Sequence, residues 1–183
     1  MRIKLAAVAM VVIAITATLG ASAFTTGTVD RSSSVNVVND DTGLLALSDG
    51  TSGGLVFQNS SGALEIDFTK GGASGVNTEA TFTLGNTADP TNQSAFNISN
   101  LDAESHDLTV EYTGAGGTSD ADANLQFQVY DSTGTNVATV SEETTSDSIT
   151  GAASGDTYYV VIVVDTHGLD STADLSGTLT VSA

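Results

Sequence analysis

From residue 60 to the C-terminus, apolar and polar positions alternate in short runs. In ALEIDFT, Leu64, Ile66 and Phe68 share one face, and Glu65 and Asp67 take the other. ATFTL aligns Ala80, Phe82 and Leu84, and FNIS aligns Phe96 with Ile98. DLTVEY groups Leu108, Val110 and Tyr112, LQFQVY groups Leu125, Phe127 and Val129, and LSGTLTV groups Leu175, Leu179 and Val181. Successive side chains of a strand point to opposite faces, so this period of two predicts half-buried strands.

One run departs from the alternation. YYVVIVV, Tyr158 to Val164, is apolar on both parities and predicts a central strand covered on both faces. Glycine-rich clusters separate the strands: SDGTSGG, KGGASG, GAGGTSDAD, DSTG and GAASGD. VYDSTGTNVATV predicts a hairpin in which Gly134 supplies a left-handed turn position. Beyond the N-terminal apolar run, no helix-length window carries the helical period. About ten short strands joined by such turns predict an all-β, jelly-roll-like β-sandwich over residues 40–183.

The N-terminus reads differently. Arg2 and Lys4 precede the apolar run LAAVAMVVIAITATLG, which ends at Ala21-Ser22-Ala23. A charged start, an apolar centre and an A-x-A site are the parts of a secretory signal peptide, here predicted over residues 1–23 with cleavage between Ala23 and Phe24. The strongly apolar part, Leu5 to Leu19, is short against the ~20 residues that cross ~30 Å of hydrocarbon. An uncleaved anchor is the alternative. There is no twin-arginine, so the general secretory route and an extracellular or cell-surface location are expected. Residues 24–39 then form an N-terminal, strand-like segment.

Charge sharpens this picture. The 183-residue chain has a net charge of −18; removing residues 1–23 takes Arg2 and Lys4 away and leaves 160 residues at −20. Arg31 and Lys70 are then the only strong bases against 22 acids. Such a surface repels phosphate backbones, which excludes nucleic acid as a partner, and it opposes electrostatic adhesion to anionic lipid. In dilute buffer the self-repulsion destabilises a compact state. In molar salt the screening length falls to ~3 Å and the repulsion fades. Acids almost without lysine therefore suggest a halophilic source, the alternative being an ordinary acidic secreted protein. The chain has no cysteine, which removes thiol catalysis, cysteine-based metal sites and disulfides.

Candidate chemistry is sparse. His167 follows Asp165 by two residues, but no nucleophile motif, zinc-protease motif or P-loop accompanies the pair. The neighbouring acids Glu142 and Glu143 would face opposite ways in a strand, so no enclosed carboxylate pair can be read, and no enzyme is expected. Calcium takes carboxylate and loop-carbonyl oxygens. The candidate ligands are Asp120 with Asp122, then Asp40 with Asp41, though neither stretch matches an EF-hand loop. Three N-x-S sequons, at Asn59, Asn92 and Asn97, make glycosylation of an exported chain plausible. Asn97 alternates with Phe96 and Ile98 and is expected to face solvent. A glycan-binding module lacks support, because there is no tryptophan.

Three stretches carry a family resemblance: the signal-like start before AFTTGTVD, NISNLDAESHDLTVEY, and SGDTYYVVIVVDTHG with the closing SGTLTV. In these the chain resembles secreted filament subunits of the TasA/camelysin type and their archaeal relatives, the bundling pili. The opening AFTTGTVDRSSSVNVVNDDTGLLAL is also similar to haloarchaeal cell-surface proteins of that architecture. The resemblance implies a jelly roll whose N-terminal segment completes the sheet of a neighbouring copy, giving a head-to-tail homopolymer. It also implies donor contacts from Thr25, Val29, Val35 and Val37, which share one parity, with Gly27 allowing close backbone approach and Arg31 meeting a neighbour's carboxylate. Divalent cations would bridge such fibres into bundles. The alternative is a non-polymerising surface protein held by its apolar N-terminus.

Overall fold

The computed structural model describes residues 37–51, 53–114 and 124–183, all within the unit Val37–Ala183. The predicted signal peptide, its Ala23–Phe24 junction, the donor positions Thr25, Gly27, Val29 and Val35, and the pair Asp120–Asp122 lie outside the described residues. Among the described residues no helix is long and apolar enough to cross a membrane.

Among the described residues a 3-10 turn at Asp40–Thr42 is followed by eleven strands: β1 Leu45–Asp49, β2 Val56–Gln58, β3 Leu64–Ile66, β4 Thr81–Leu84, β5 Phe96–Asn100 and β6 His106–Gly114. The series continues with β7 Leu125–Tyr130, β8 Asn136–Ser141, β9 Ser146–Ala152, β10 Thr157–Asp165 and β11 Gly177–Ser182. The larger sheet runs β1-β5-β10-β7-β8; β4 pairs with β10 beyond the point where β5 stops. The smaller sheet runs β11-β6-β9, and among the described strands β2 and β3 form a two-stranded sheet. All pairings are antiparallel.

The two sheets face each other as a β-sandwich. Phe96, Ile98, Phe127, Val129, Val140, Val160 and Ile162 of the larger sheet meet Leu108, Val110, Tyr112 and Ile149 of the smaller. The Tyr112 and Phe127 rings pack across the interface with centroids 5.2 Å apart. Each such side chain, fully buried, contributes roughly 1.5–3 kcal/mol.

From β5 onward the chain follows the jelly-roll path. An eight-strand jelly roll places its second, seventh, fourth and fifth strands in one sheet, and its first, eighth, third and sixth in the other. Here β5-β10-β7-β8 fill the first set in that order, and β11-β6-β9 fill the last three places of the second. The place of the first strand, beside β11, is taken by no described strand. The β2–β3 hairpin, ladder-bonded to neither sheet, packs Val56 and the half-buried Leu64 and Ile66 against the core.

The central strand is β10, as its apolar run predicts. Its outward Val161 is fully buried because residues 85–95 cross the outer face of the sheet. Gly85, at φ +96, lies so close that a Cβ there would meet Val161 Cγ2 at 3.1 Å and Gln93 O at 2.9 Å. Gly134 takes the left-handed position of the β7–β8 turn, with φ +79. Phe82 departs from expectation and is 40% exposed. Its ring meets the Phe68 ring edge-on, with centroids 6.1 Å apart.

Candidate assembly groove

Beside β11 runs a groove of about 710 Å³. Phe127 and Val164 of the larger sheet form its floor with Tyr112 of β6; Ile66, Phe68 and Leu179 line its walls. These residues sit where alternation puts them, on inward faces, yet no described strand covers them from the side. Antiparallel pairing with β6 uses one edge of β11, and its other edge meets no described strand.

Three acids stand at the rim: Asp67, Asp170 and Asp174. Each opens a turn in which its Oδ1 accepts from the amide and hydroxyl two residues on: Thr69, Thr172 and Ser176. Those hydroxyl and amide bonds hold all three carboxyls below the usual aspartate value. The rim is thus anionic and braced, and the floor apolar. The D-x-[S/T] pattern of DFT, DST and DLS carries this information in the sequence, where acids spaced along a polar loop read only as solvated surface.

Two further contacts fix the walls. Tyr112 donates its hydroxyl to Leu175 O at 2.9 Å; burial, then the charges of Glu142 and Asp174, pushes the phenol up to about 12. Thr166, 6% exposed, ties the start of the 166–176 wall to the segment before β4. Its hydroxyl lies 2.6 Å from Asn77 O and 2.9 Å from Ala80 O as donor, and accepts from Ala80 N at 3.0 Å. Glu79 beside it adopts φ +54, a left-handed backbone unusual for its type, and its Oε1 accepts from Gly168 N at 3.2 Å.

The Asp165–His167 pair does form, Nδ1 to Oδ1 at 2.6 Å, on the exposed side of this wall. That hydrogen bond, then Coulombic attraction to Asp165, raises the His167 pKa. The hydroxyl between them in sequence, Thr166, is engaged with the Asn77–Ala80 backbone. Lys70, near the groove's first wall, sits 3.1 Å over the centroid of the Phe57 ring, a cation–π contact.

Of the remaining sequence candidates, Val37 is 98% exposed. Asp40 donates its amide to Gly62 O at 3.0 Å and accepts from Leu64 N at 2.8 Å through Oδ2. It therefore hooks the chain onto the β2–β3 hairpin, while Asp41 is exposed beside it. Among the described residues no group of three or more His, Asp or Glu side chains is placed to hold a metal ion. Asn92 is exposed, Asn59 half-buried, and Asn97 half-buried rather than solvent-facing, since Ser94 of the overlying segment bonds to it. No protein-family model matches the chain, and no curated protein is found similar to it.

Proposed function

We propose that this chain is a structural subunit of an extracellular filament, exported and trimmed at Ala23, and joined head to tail by strand addition. Residues 24–39 of one copy would occupy the place beside β11 of the next. The observation that carries the reading is the jelly-roll order with no described strand in its first position, next to an apolar groove.

The chemistry of the two parts is complementary. Residues 24–39 contain one acid, Asp30, and one base, Arg31, in a chain otherwise dense with carboxylates. Thr25, Val29, Val35 and Val37 offer a mildly apolar face to the floor, and Arg31 suits a rim bearing Asp67, Asp170 and Asp174. Backbone pairing with β11 would supply affinity independent of sequence, with alternate side chains giving register. A contact between unlike surfaces that does not close on itself yields an open fibre. Molar salt screens the approach of two acidic copies. Calcium on Asp120 and Asp122 or between fibres belongs to the same proposal, and chelation should then unbundle them; bundles indifferent to chelator remove the ion from it.

Electron microscopy of the secreted protein in molar salt tests this. Fibres are expected from the intact chain, and monomers from one lacking residues 24–38. An intact, trimmed chain that stays monomeric overturns the proposal.

A further inference from the structure

Three sequons occur in this chain, and the structure distinguishes them sharply. When an asparagine amide gains a sugar it becomes a secondary amide, and the preferred trans form sets the sugar carbon on the same side as Oδ1. A glycan therefore needs the oxygen side of the side chain to be open.

At Asn59 that side is closed. Oδ1 accepts from Ser61 N at 3.0 Å, Ser61 Oγ at 2.6 Å and Ala63 N at 3.1 Å, while Nδ2 donates to Glu65. The amide is the hub of the turn between β2 and β3. At Asn97 it is closed as well: Oδ1 accepts from Ser94 Oγ at 2.8 Å, on a strand flanked by both β1 and β10. Asn92 differs on each count. It is exposed on the 85–95 segment, its Nδ2 donates to Asp89 Oδ1 at 2.8 Å, and no described residue donates to its Oδ1.

We infer that Asn92 carries an N-linked glycan and that Asn59 and Asn97 do not. The inference rests on the export reading above, because the glycan donor meets exported chains. The Asn92 amide nitrogen bonds to the anomeric carbon of a lipid-phosphate-linked oligosaccharide. The anomeric C–O bond breaks, the lipid phosphate leaves with its electron pair, and the displaced amide proton passes to a base. Ser94, the hydroxyl of this sequon, is 3% exposed in the fold and donates to Asn97. Transfer therefore precedes folding, and the fold selects which product it can accommodate. The modified segment lies over outward Val161, on the opposite face of the larger sheet from the groove floor at Phe127 and Val164, so a glycan there leaves the groove clear.

Glycopeptide mass mapping of the protein from the medium of its own cells decides the matter. A glycan mass is expected on the peptide containing Asn92, and Asn59 and Asn97 are expected bare. Asn92→Gln should remove the mass shift and Asn59→Gln should leave it. Exported protein with bare Asn92, or with sugar on Asn59 or Asn97, overturns the site assignment alone. Protein retained in the cytoplasm with Met1 intact overturns export and the site together.

Discussion

The phenol of Tyr112 lies where a side chain on residue 177 would begin. A Cβ built on Gly177 would fall 2.4 Å from the Tyr112 oxygen, 2.5 Å from its Cζ and 2.5 Å from Thr113 O. Glycine is required here for room rather than for backbone conformation. Gly177→Ala should displace the ring or the start of β11 and cost about 1–3 kcal/mol, the usual range for overpacking. Denaturant midpoints in molar salt measure it; an unchanged midpoint would show that β11 yields freely at this point.

The same tyrosine predicts alkaline behaviour. Its folded pKa is raised from 10.0 to about 12, chiefly by burial. The neutral phenol thus stabilises the fold fully below the unfolded value, and the contribution disappears as pH climbs toward the folded one. The stability gap between the wild type and Tyr112→Phe should shrink between pH 10 and about 12. Phenolate absorbance, followed alongside unfolding, checks the window directly.

Thr166→Val keeps the shape of a buried side chain and deletes its hydroxyl. Ala80 N then loses its acceptor, and Asn77 O and Ala80 O lose a donor. An unsatisfied buried group costs roughly 1–3 kcal/mol. The effect should concentrate locally, with faster amide exchange at Ala80 than in β6 or β7. Uniform acceleration would mean that the tie is not a local one.

Asp131 supplies an acid-side prediction. Its carboxyl is held below the ordinary 3.8, first by the Thr133 hydroxyl and next by the Thr135 amide. A depressed folded pKa means the contribution is present above the unfolded value and lost as pH falls through the folded one. Wild type and Asp131→Asn should therefore differ at neutral pH and converge below pH 3.8. His167 carries the opposite sign. Its raised pKa stabilises the fold below 6.5, and that contribution fades as pH rises through the folded value. Proton-coupled NMR shifts of each group report the two directions separately.

Much of this fold was legible in the sequence because burial and strand period act locally. Leu108, Val110 and Tyr112 are buried on one face as alternation requires, and so are Leu125, Phe127 and Val129. The apolar run at Tyr158–Val164 announced a central strand, although what covers Val161 could not be read, since Gly85 and Gln93 approach it only through folding. Phe82 shows the limit of the rule. Alternation fixes which face a side chain takes, whereas exposure depends on whether another layer lies opposite. The candidate groove was illegible for a similar reason: it arises from the order of strands distant in sequence. Asp40 illustrates the remaining gap, because a carboxylate that serves a backbone amide 24 residues away looks, in a string, like any other surface acid.

Asp40→Ala should accordingly act on the hairpin rather than on ion binding. Leu64 N would lose its acceptor, at about 1–2 kcal/mol for a partly exposed amide, while the main-chain bond from residue 40 to Gly62 O would remain. Asp41→Ala, one residue on and exposed, should be close to neutral. Thermal melts of the two variants, with and without calcium, separate a structural hook from a metal ligand: calcium-dependent loss in both would favour the ligand.

The carboxylate of Asp147 accepts from Thr139 N, on β8, at 2.9 Å. β8 is the outermost strand at its end of the larger sheet, and an outermost strand is a template for any passing chain. One of its amides is thus occupied, and a negative charge stands guard over the rest. A newcomer rich in carboxylates meets a like charge there, as it does at the Asp67, Asp170 and Asp174 rim beside β11, but beside β11 the floor under that rim is apolar. The two flanks thus differ: at β8 one outer amide is filled by Asp147, and beside β11 lies an apolar floor. Growth by strand addition, where it occurs, would inherit a direction.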